Sequence, residues 1–213
     1  MRNVININQG WKFIREDVGL PDALPTGWQD VNLPHSWNAV DGMDGNGSFY
    51  RGTCWYARSF ATPRQPLPGG RVYVEVNAAG QQADVYVNGQ KAAHHEGGYS
   101  RFRADVTDLC REDGDNLLVI ACSNELLDRV YPQSADFTFY GGLYRGVNLI
   151  SVPAAHFDLD HLGGPALKVT PKPTECGGAL FEIETWVTNG DENFTVLYSI
   201  KDADGKEVAG GCR

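Results

Sequence analysis

The chain has 213 residues, of which 42% are hydrophobic and 21% charged, a composition typical of a folded globular protein rather than a disordered one. Its formal net charge of −9 disfavours nucleic acids and anionic membrane surfaces as partners, because both repel an acidic surface. No apolar run approaches the ~20 residues that cross a bilayer, which argues against a transmembrane helix. Residues 1–6 lack the apolar stretch of a signal peptide, so we expect a cytoplasmic protein, with a periplasmic or secreted location left open for a chain whose leader has been removed.

The first predicted strand covers residues 9–14, and residues 15–48 follow as a long irregular segment with many turn-forming residues. Asn88-Gly89 is a strong signal for a two-residue hairpin turn, and residues 107–110 are typical of a single helical turn. Further strands are predicted at 54–60, 71–76, 83–87, 90–95, 102–106, 117–122 and 146–152. So many short strands favour an all-β fold with a jelly-roll-like β-sandwich.

A domain boundary is predicted at residues 153–155, which divides the chain into a first domain at 1–153 and a second unit at 154–213. The second unit has its own strand patterns between residues 166 and 209. An immunoglobulin-like β-sandwich needs about seven strands and about 100 residues, so we predict a truncated one here. Its last strand would leave an open edge, and we therefore expect pairing with another copy of the chain, that is, a homo-oligomer.

The chain has five cysteines, and none of them forms a C-x-x-C pair. The sequence therefore predicts no metal site, and no motif for an organic cofactor is present. We expect reduced thiols that pack as small apolar side chains. The cysteines are Cys54, Cys110, Cys122, Cys176 and Cys212.

Several motifs occur in a fixed order over residues 9–152. They are Leu-Pro-His-Ser-Trp at 33–37, Asp-Val-Tyr-Val-Asn-Gly at 84–89, Gly-Gly-Tyr-Ser-Arg-Phe at 97–102, Asp-Val-Thr-Asp-Leu at 105–109 and Asp-Phe-Thr-Phe-Tyr-Gly-Gly-Leu-Tyr-Arg at 136–145. In this order they resemble the first domain of family 2 glycoside hydrolases, the group that holds β-galactosidases, β-glucuronidases and β-mannosidases. The segment from residue 157 to 171 is similar to the start of that family's second domain.

The resemblance implies a sugar-binding jelly roll, then an immunoglobulin-like domain, then a catalytic (β/α)₈ barrel with two glutamates that perform retaining glycoside hydrolysis. No such barrel fits in this chain, so we expect no catalytic residue here and no activity of the chain alone. Glu182 and Glu184 form the neatest carboxylate pair, but they are two residues apart on a strand and are interpreted as a solvated face.

Three candidate substrate-binding residues follow from the same resemblance. In the family, a loop of the first domain reaches the barrel mouth with an Asp that binds sugar hydroxyls, and Asp136 matches it; its alternative role is to cap a turn. In some β-galactosidases an Asn before the strand near Cys54 also contacts sugar. Arg51 is nearest to that position here, next to Tyr50, our third candidate. Two roles are open for Arg51: contact with a sugar or with an acidic substituent of the sugar, and a structural ion pair.

Other polar residues are given structural roles. We expect Arg145 to pack and pair inside the sandwich and His35 to be a hydrogen-bonded structural residue. His94 and His95 point to opposite faces of a strand, so they cannot chelate one metal ion together.

The leading hypothesis is the non-catalytic N-terminal part of a β-galactosidase-like glycosidase, which shapes the active-site rim and contacts the terminal sugar. Its partners are then a carbohydrate and the catalytic barrel of the parent chain. Two alternatives stay open: a free-standing carbohydrate-binding module, and a structural or oligomerisation domain.

Overall fold

The computed structural model describes residues 2–41, 48–63, 69–131, 135, 137–192 and 194–212. The regular secondary structure of the described residues consists of β-strands and one short 3₁₀ helix at Thr107–Leu109. The strands are β1 Asn3–Asn6, β2 Trp11–Ile14, β3 Gln29–Val31, β4 Thr53–Ala61, β5 Arg71–Val76, β6 Gln82–Val87, β7 Gln90–Glu96, β8 Phe102–Asp105, β9 Asp115–Ser123, β10 Val147–Val152, β11 His156–Phe157, β12 Leu167–Pro173, β13 Ala179–Thr185, β14 Val187–Thr188, β15 Leu197–Lys201 and β16 Glu207–Cys212.

The first ten strands form two sheets packed face to face. One sheet has the order β3-β2-β4-β9-β6-β7 and the other β1-β10-β5-β8, with antiparallel pairing throughout. A single apolar cluster fills the space between them and includes Trp11, Tyr56, Val74, Ile120 and Leu143, each fully buried. The all-β fold and the sandwich predicted from the strand pattern are therefore confirmed.

Local sequence explains the hairpin between β6 and β7. Asn88 and Gly89 have positive φ angles of 50° and 81°, the backbone conformation that a tight two-residue turn requires and that Asn-Gly adopts at least cost. Val85 and Val87 on β6 point into the core, while the residues between them face outward in part. The predicted strands, the turn and the helical turn at 107–109 are all present.

Two short strands of the sandwich, β1 and β3, were missed by the sequence analysis, as was β11 beyond it. β3 lies inside the segment predicted to be irregular, where it pairs with β2. β1 pairs with β10 at the edge of its sheet, and all four of its residues are exposed. Because all four residues of β1 are exposed, its sequence lacks the alternation of apolar and polar residues that predicts a strand.

Beyond residue 153 the strands pair as β11 with β14, β12 with β13, and β15 with β16. Leu159 is buried against Tyr73, Ile150 and Val152 of the four-stranded sheet, so the segment after β11 covers part of its outer face. The predicted division at residue 153 and the immunoglobulin-like character of residues 154–213 stay predictions.

The carboxylates of β13 and the cysteines can be placed directly. Glu182 pairs with Lys172, and Glu184 with Lys168 at 2.7 Å, all on an exposed surface, as predicted. The cysteines are free thiols; Cys54 and Cys122 are buried, and burial raises the pKa of each to about 12. The expectation of packed thiols is wrong for Cys176 and Cys212, which are exposed: Cys176 lies in the turn between β12 and β13, and Cys212 is the last residue of β16. No helix among the described residues could span a membrane.

Candidate functional site

Two buried asparagines organise one end of the sandwich. Asn124 follows β9 directly, and Asn38 follows Trp37 of the Leu-Pro-His-Ser-Trp motif; neither side chain is exposed to solvent. They hydrogen-bond to each other, with Asn124 Nδ2 3.2 Å from Asn38 Oδ1, across 86 positions of sequence. A buried amide is stable only when its donors and acceptors are matched, so the surrounding backbone must be held in place.

Asn124 joins the start of β4 to the segment after Asp136. Its Nδ2 also donates to the carbonyl oxygens of Tyr50, at 3.0 Å, and Phe139, at 3.2 Å. Its Oδ1 accepts a hydrogen bond from the Gly52 amide at 3.0 Å. A single side chain therefore fixes two segments that the sequence analysis assigned to the sugar site.

Asn38 binds the same two segments from the other side. Its Nδ2 donates to Asp41 Oδ2 at 3.1 Å and to the Tyr50 carbonyl at 3.0 Å. Its Oδ1 accepts from the Gly141 amide at 2.8 Å. Asp41 in turn accepts from the Tyr50 amide at 3.1 Å, so Tyr50 has both its backbone groups in this network. We call Asn38, Asp41, Tyr50 and Asn124 the asparagine network.

Arg51 is half-buried beside this network. Its Nη1 donates to the Asn124 carbonyl at 3.0 Å, and its guanidinium lies 4.5 Å from the ring centroid of Phe49 and 5.5 Å from that of Phe139. Burial lowers the pKa of Arg51. Within the described residues no carboxylate lies within ion-pair distance of Arg51. There its guanidinium contacts aromatic rings and a backbone carbonyl and makes no structural ion pair.

Asp136 lies outside the described residues. The segment that follows it is described, and it packs with Phe137 and Phe139 ring centroids 5.0 Å apart. The structure therefore brings Tyr50, Arg51 and the segment next to Asp136 to one end of the sandwich. Their roles in sugar binding stay predictions.

The two asparagines were missed by the sequence analysis. Asn124 stands two residues after the apolar run 117–122, with Ser123 between them, and the polar residues just beyond a buried strand are a usual place for a functional or anchoring side chain. The position of Asn124 indicates a buried polar side chain. Its hydrogen-bond partners are distant in sequence, so no local sequence pattern predicts them.

Three glycines allow the loops to approach each other closely. A Cβ on Gly141 would overlap the ring of Trp37, and a Cβ on Gly80 would lie 2.7 Å from Gly141 Cα. Gly142 has a φ angle of +109°, where L side chains are strained. The Gly141-Gly142 pair of the motif is therefore required by packing.

The predicted position of Arg145 is wrong. Its side chain is exposed rather than packed inside the sandwich, and Nη1 donates to the Tyr99 carbonyl at 3.1 Å. In the described part of the chain no carboxylate lies within ion-pair distance of Arg145, so full burial would leave its charge unpaired at a large cost. The adjacent Tyr144 is the residue that turns inward, and its hydroxyl donates to the Gly98 carbonyl.

The expectations for the histidines are confirmed. His35 Nδ1 lies 2.8 Å from the Tyr56 hydroxyl, and burial lowers the pKa of His35. His94 and His95 face opposite sides of β7: His94 contacts Asp84 and Glu96, whereas the ring of His95 stacks on Phe102. Among the described residues no group of three potential metal ligands is present.

The adjacent His94 and His95 should titrate in opposite directions. Hydrogen bonds to Asp84, at 2.6 Å, and to Glu96 raise the pKa of His94 above its usual 6.5, while burial lowers the pKa of His95. Protonated His94 therefore favours the folded state below pH 6.5, and this contribution is lost as the pH rises through its folded-state pKa. We expect NMR titration of the two imidazoles to give midpoints on either side of 6.5.

The control for this titration is Asp84→Asn. It should lower the pKa of His94 and leave that of His95 almost unchanged, because His95 makes its hydrogen bond to Ser100 instead. Equal midpoints for the two imidazoles in the unmodified chain would contradict the prediction.

Residues 6–153 match the family model described as glycosyl hydrolases family 2, sugar binding domain. The chain belongs to glycosyl hydrolase family 2. The resemblance drawn from the motifs at 33–37 and 136–145 is therefore confirmed. The matched range coincides with the sandwich and the asparagine network.

Relatives with known names agree with this membership. The crystal structure of an FMN-binding β-glucuronidase from Facaelibacterium prausnitzii L2-6 is 60% identical, covers all of this chain and 32% of that protein, and superposes with a TM-score of 0.92. A putative β-glucuronidase from Formosa agariphila is 32% identical over 95% of this chain and 24% of its own length. A β-galactosidase from Bacteroides ovatus is 27% identical over 96% of this chain and 24% of its own length.

The chain thus spans about a quarter to a third of the length of these relatives. Binding of FMN is named for the F. prausnitzii protein, of which two thirds lies outside the match. For this chain, the absence of an organic cofactor stays a prediction.

Proposed function

We propose that this chain is the N-terminal, non-catalytic part of a family 2 glycosidase that hydrolyses O-glycosyl bonds of a terminal sugar by the retaining route. The catalytic barrel belongs to a part of the protein beyond these residues. The sandwich shapes the rim of the active site and contacts the sugar. The observation that carries the proposal is the asparagine network, which holds Tyr50, Arg51 and the segment after Asp136 together at one end of the sandwich.

A rigid anchor is what a sugar contact from a loop needs. Hydrogen bonds to hydroxyl groups discriminate between sugars only when the loop that supplies them is fixed, because ordering a free loop on binding would cost much of the affinity. The asparagine network supplies that order before the sugar arrives. Asp136 adds a carboxylate that accepts two hydroxyl hydrogen bonds.

For the substrate, we place a β-glucuronide ahead of the β-galactoside suggested by the sequence motifs. The support is the 60% identity to a protein named as a β-glucuronidase, compared with 27% to one named as a β-galactosidase. Arg51 stands where some β-galactosidases have an Asn, and a guanidinium suits a substrate that carries a carboxylate.

The test is hydrolysis of nitrophenyl β-glucuronide, β-galactoside and β-mannoside by the full-length protein and by this 213-residue chain. We expect the full-length protein to cleave the glucuronide fastest and the chain alone to cleave none of them. Cleavage by the chain alone would overturn the non-catalytic role. Preference for the galactoside would overturn the substrate and leave the family role intact.

Asp136→Asn in the full-length protein should lower kcat/KM at least about tenfold, because the charge-assisted hydrogen bonds to the sugar are lost. The matched control is Asp113→Asn, which makes the same change of charge on an exposed turn. Steady-state kinetics on the preferred nitrophenyl glycoside measures both. An Asp136→Asn protein with unchanged kcat/KM would remove this residue from the sugar site.

A further inference from the structure

A cavity opens at the end of the four-stranded sheet, where β5 ends and β8 and β10 begin. Its volume is about 440 Å³, within the size range of small-molecule sites. It shares no lining residue with the asparagine network. The lining residues are Asn77, Arg101, Arg145, Gly146 and Gly163.

Positive charge accumulates next to this cavity although the chain as a whole has a net charge of −9. One buried carboxylate, Glu75, lies 2.7 Å from Arg103 and 3.8 Å from both Arg2 and Arg101. Three guanidinium groups therefore share a single negative charge. Arg145 adds a fourth without a carboxylate in ion-pair range among the described residues.

These arginines differ in how many of their N–H groups are already used. Arg103 is buried, and beyond its bond to Glu75 its Nη1 donates to the carbonyls of Leu159 and Gly164. It is therefore committed to the fold. Arg101 and Arg145 are exposed, and each makes one hydrogen bond to the described chain. Their remaining donors are available to a ligand.

The position of Arg101 is fixed by its neighbours. Its Nε donates to Asn77 Oδ1 at 2.9 Å, and Asn77 Nδ2 donates to the Gly146 carbonyl at 2.9 Å. Gly163 has a φ angle of +62°, and a Cβ there would lie 2.6 Å from the Arg101 carbonyl oxygen, so the loop packs directly on this backbone. The guanidinium is thus held at the cavity wall before any ligand binds.

Repulsion between the guanidinium groups of this cluster adds to the effect of burial on Arg2. Burial, together with the charges of Arg103 and Arg101, lowers the pKa of Arg2 despite the nearby Glu75. The cluster has more guanidinium groups than carboxylates. A bound anion would therefore reduce the repulsion, because each negative charge offsets one positive charge that Glu75 does not neutralise.

We propose that this cavity binds the phosphate group of a phosphate-bearing small molecule. A phosphate monoester carries close to two negative charges at neutral pH and three acceptor oxygens, which match two guanidinium groups that approach from different segments. A carboxylate has half that charge. The cavity is larger than a phosphate group alone and leaves space for the remainder of the molecule.

The experiment is isothermal titration of inorganic phosphate into the full chain at pH 7.5 and constant ionic strength, with acetate as the singly charged comparison. We expect saturable phosphate binding with a Kd in the millimolar range and acetate binding at least about tenfold weaker. No saturable binding of phosphate to the folded chain would overturn the proposal. Acetate binding equal to phosphate binding would overturn the phosphate assignment.

Variants locate the binding. Arg145→Gln should weaken phosphate binding at least about fivefold, and the double variant with Arg101→Gln should abolish it. Arg129→Gln is the control, because it removes the same charge from an exposed arginine that pairs with Glu96 away from the cavity. If Arg145→Gln and Arg129→Gln bind phosphate equally, the site is elsewhere. Arg145→Lys keeps the positive charge on an exposed side chain but removes the two neighbouring N–H donors of the guanidinium. Its affinity for phosphate shows whether those donors contribute to binding.

Discussion

Gly141→Ala is expected to lower the free energy of unfolding by about 3 kcal/mol, at the upper end of the range for overpacked cores. The new Cβ would overlap Cζ2 and Cε2 of Trp37, far inside the 3.0 Å that real Cβ atoms keep from other heavy atoms. Trp37 cannot move aside easily, because it is 5% exposed and stacks on Phe13 with ring planes 13° apart. Either the indole or the loop must shift.

Urea-induced unfolding of the variant and of Gly27→Ala measures this effect. Gly27 is the matched control, because it has no heavy atom within 4 Å of an added Cβ and no positive φ angle. Equal stability of the two variants would contradict the packing argument. Trp37→Phe removes the outer part of the ring, so Gly141→Ala should cost less in that background, and the double-mutant cycle should show a coupling of at least about 0.5 kcal/mol.

The features that the sequence predicted well depend on neighbouring residues. The β6–β7 hairpin follows from Asn88-Gly89 and the alternation of valines on β6, and no distant part of the chain is needed to specify it. The family motif at 136–145 contains Gly141 and Gly142, and the structure adds the reason for them, which is close packing.

The features that the sequence did not predict depend on distant partners. Arg145 was expected to pack and pair inside the sandwich, but its side chain is exposed and no carboxylate of the described residues lies within ion-pair distance of it. Asn38 and Asn124 are 86 positions apart, and their common acceptor is a backbone carbonyl, which has no sequence signature. Long-range polar networks of this kind become visible only when the chain is folded.

Asn124→Asp should destabilise the fold by about 3 kcal/mol or more, because the change keeps the shape of the side chain and removes its donors. Three oxygens, Asn38 Oδ1 and the carbonyls of Tyr50 and Phe139, would face a carboxylate that cannot donate to them. The acceptor bond from the Gly52 amide is kept, so the loss reports the missing donors together with the burial of a carboxylate. Urea-induced unfolding measures it, with exposed Asn3→Asp as the control for the added charge.

The same variant separates a structural role of the network from a role in sugar binding. In the full-length protein, at a temperature where Asn124→Asp is still folded, loss of the common anchor should loosen both Arg51 and the segment after Asp136. If these segments contact the sugar, kcat/KM falls by at least about tenfold relative to Asn3→Asp. A folded, less stable protein with unchanged kcat/KM would mean that the asparagine network supports the sandwich and that the sugar is held by other residues.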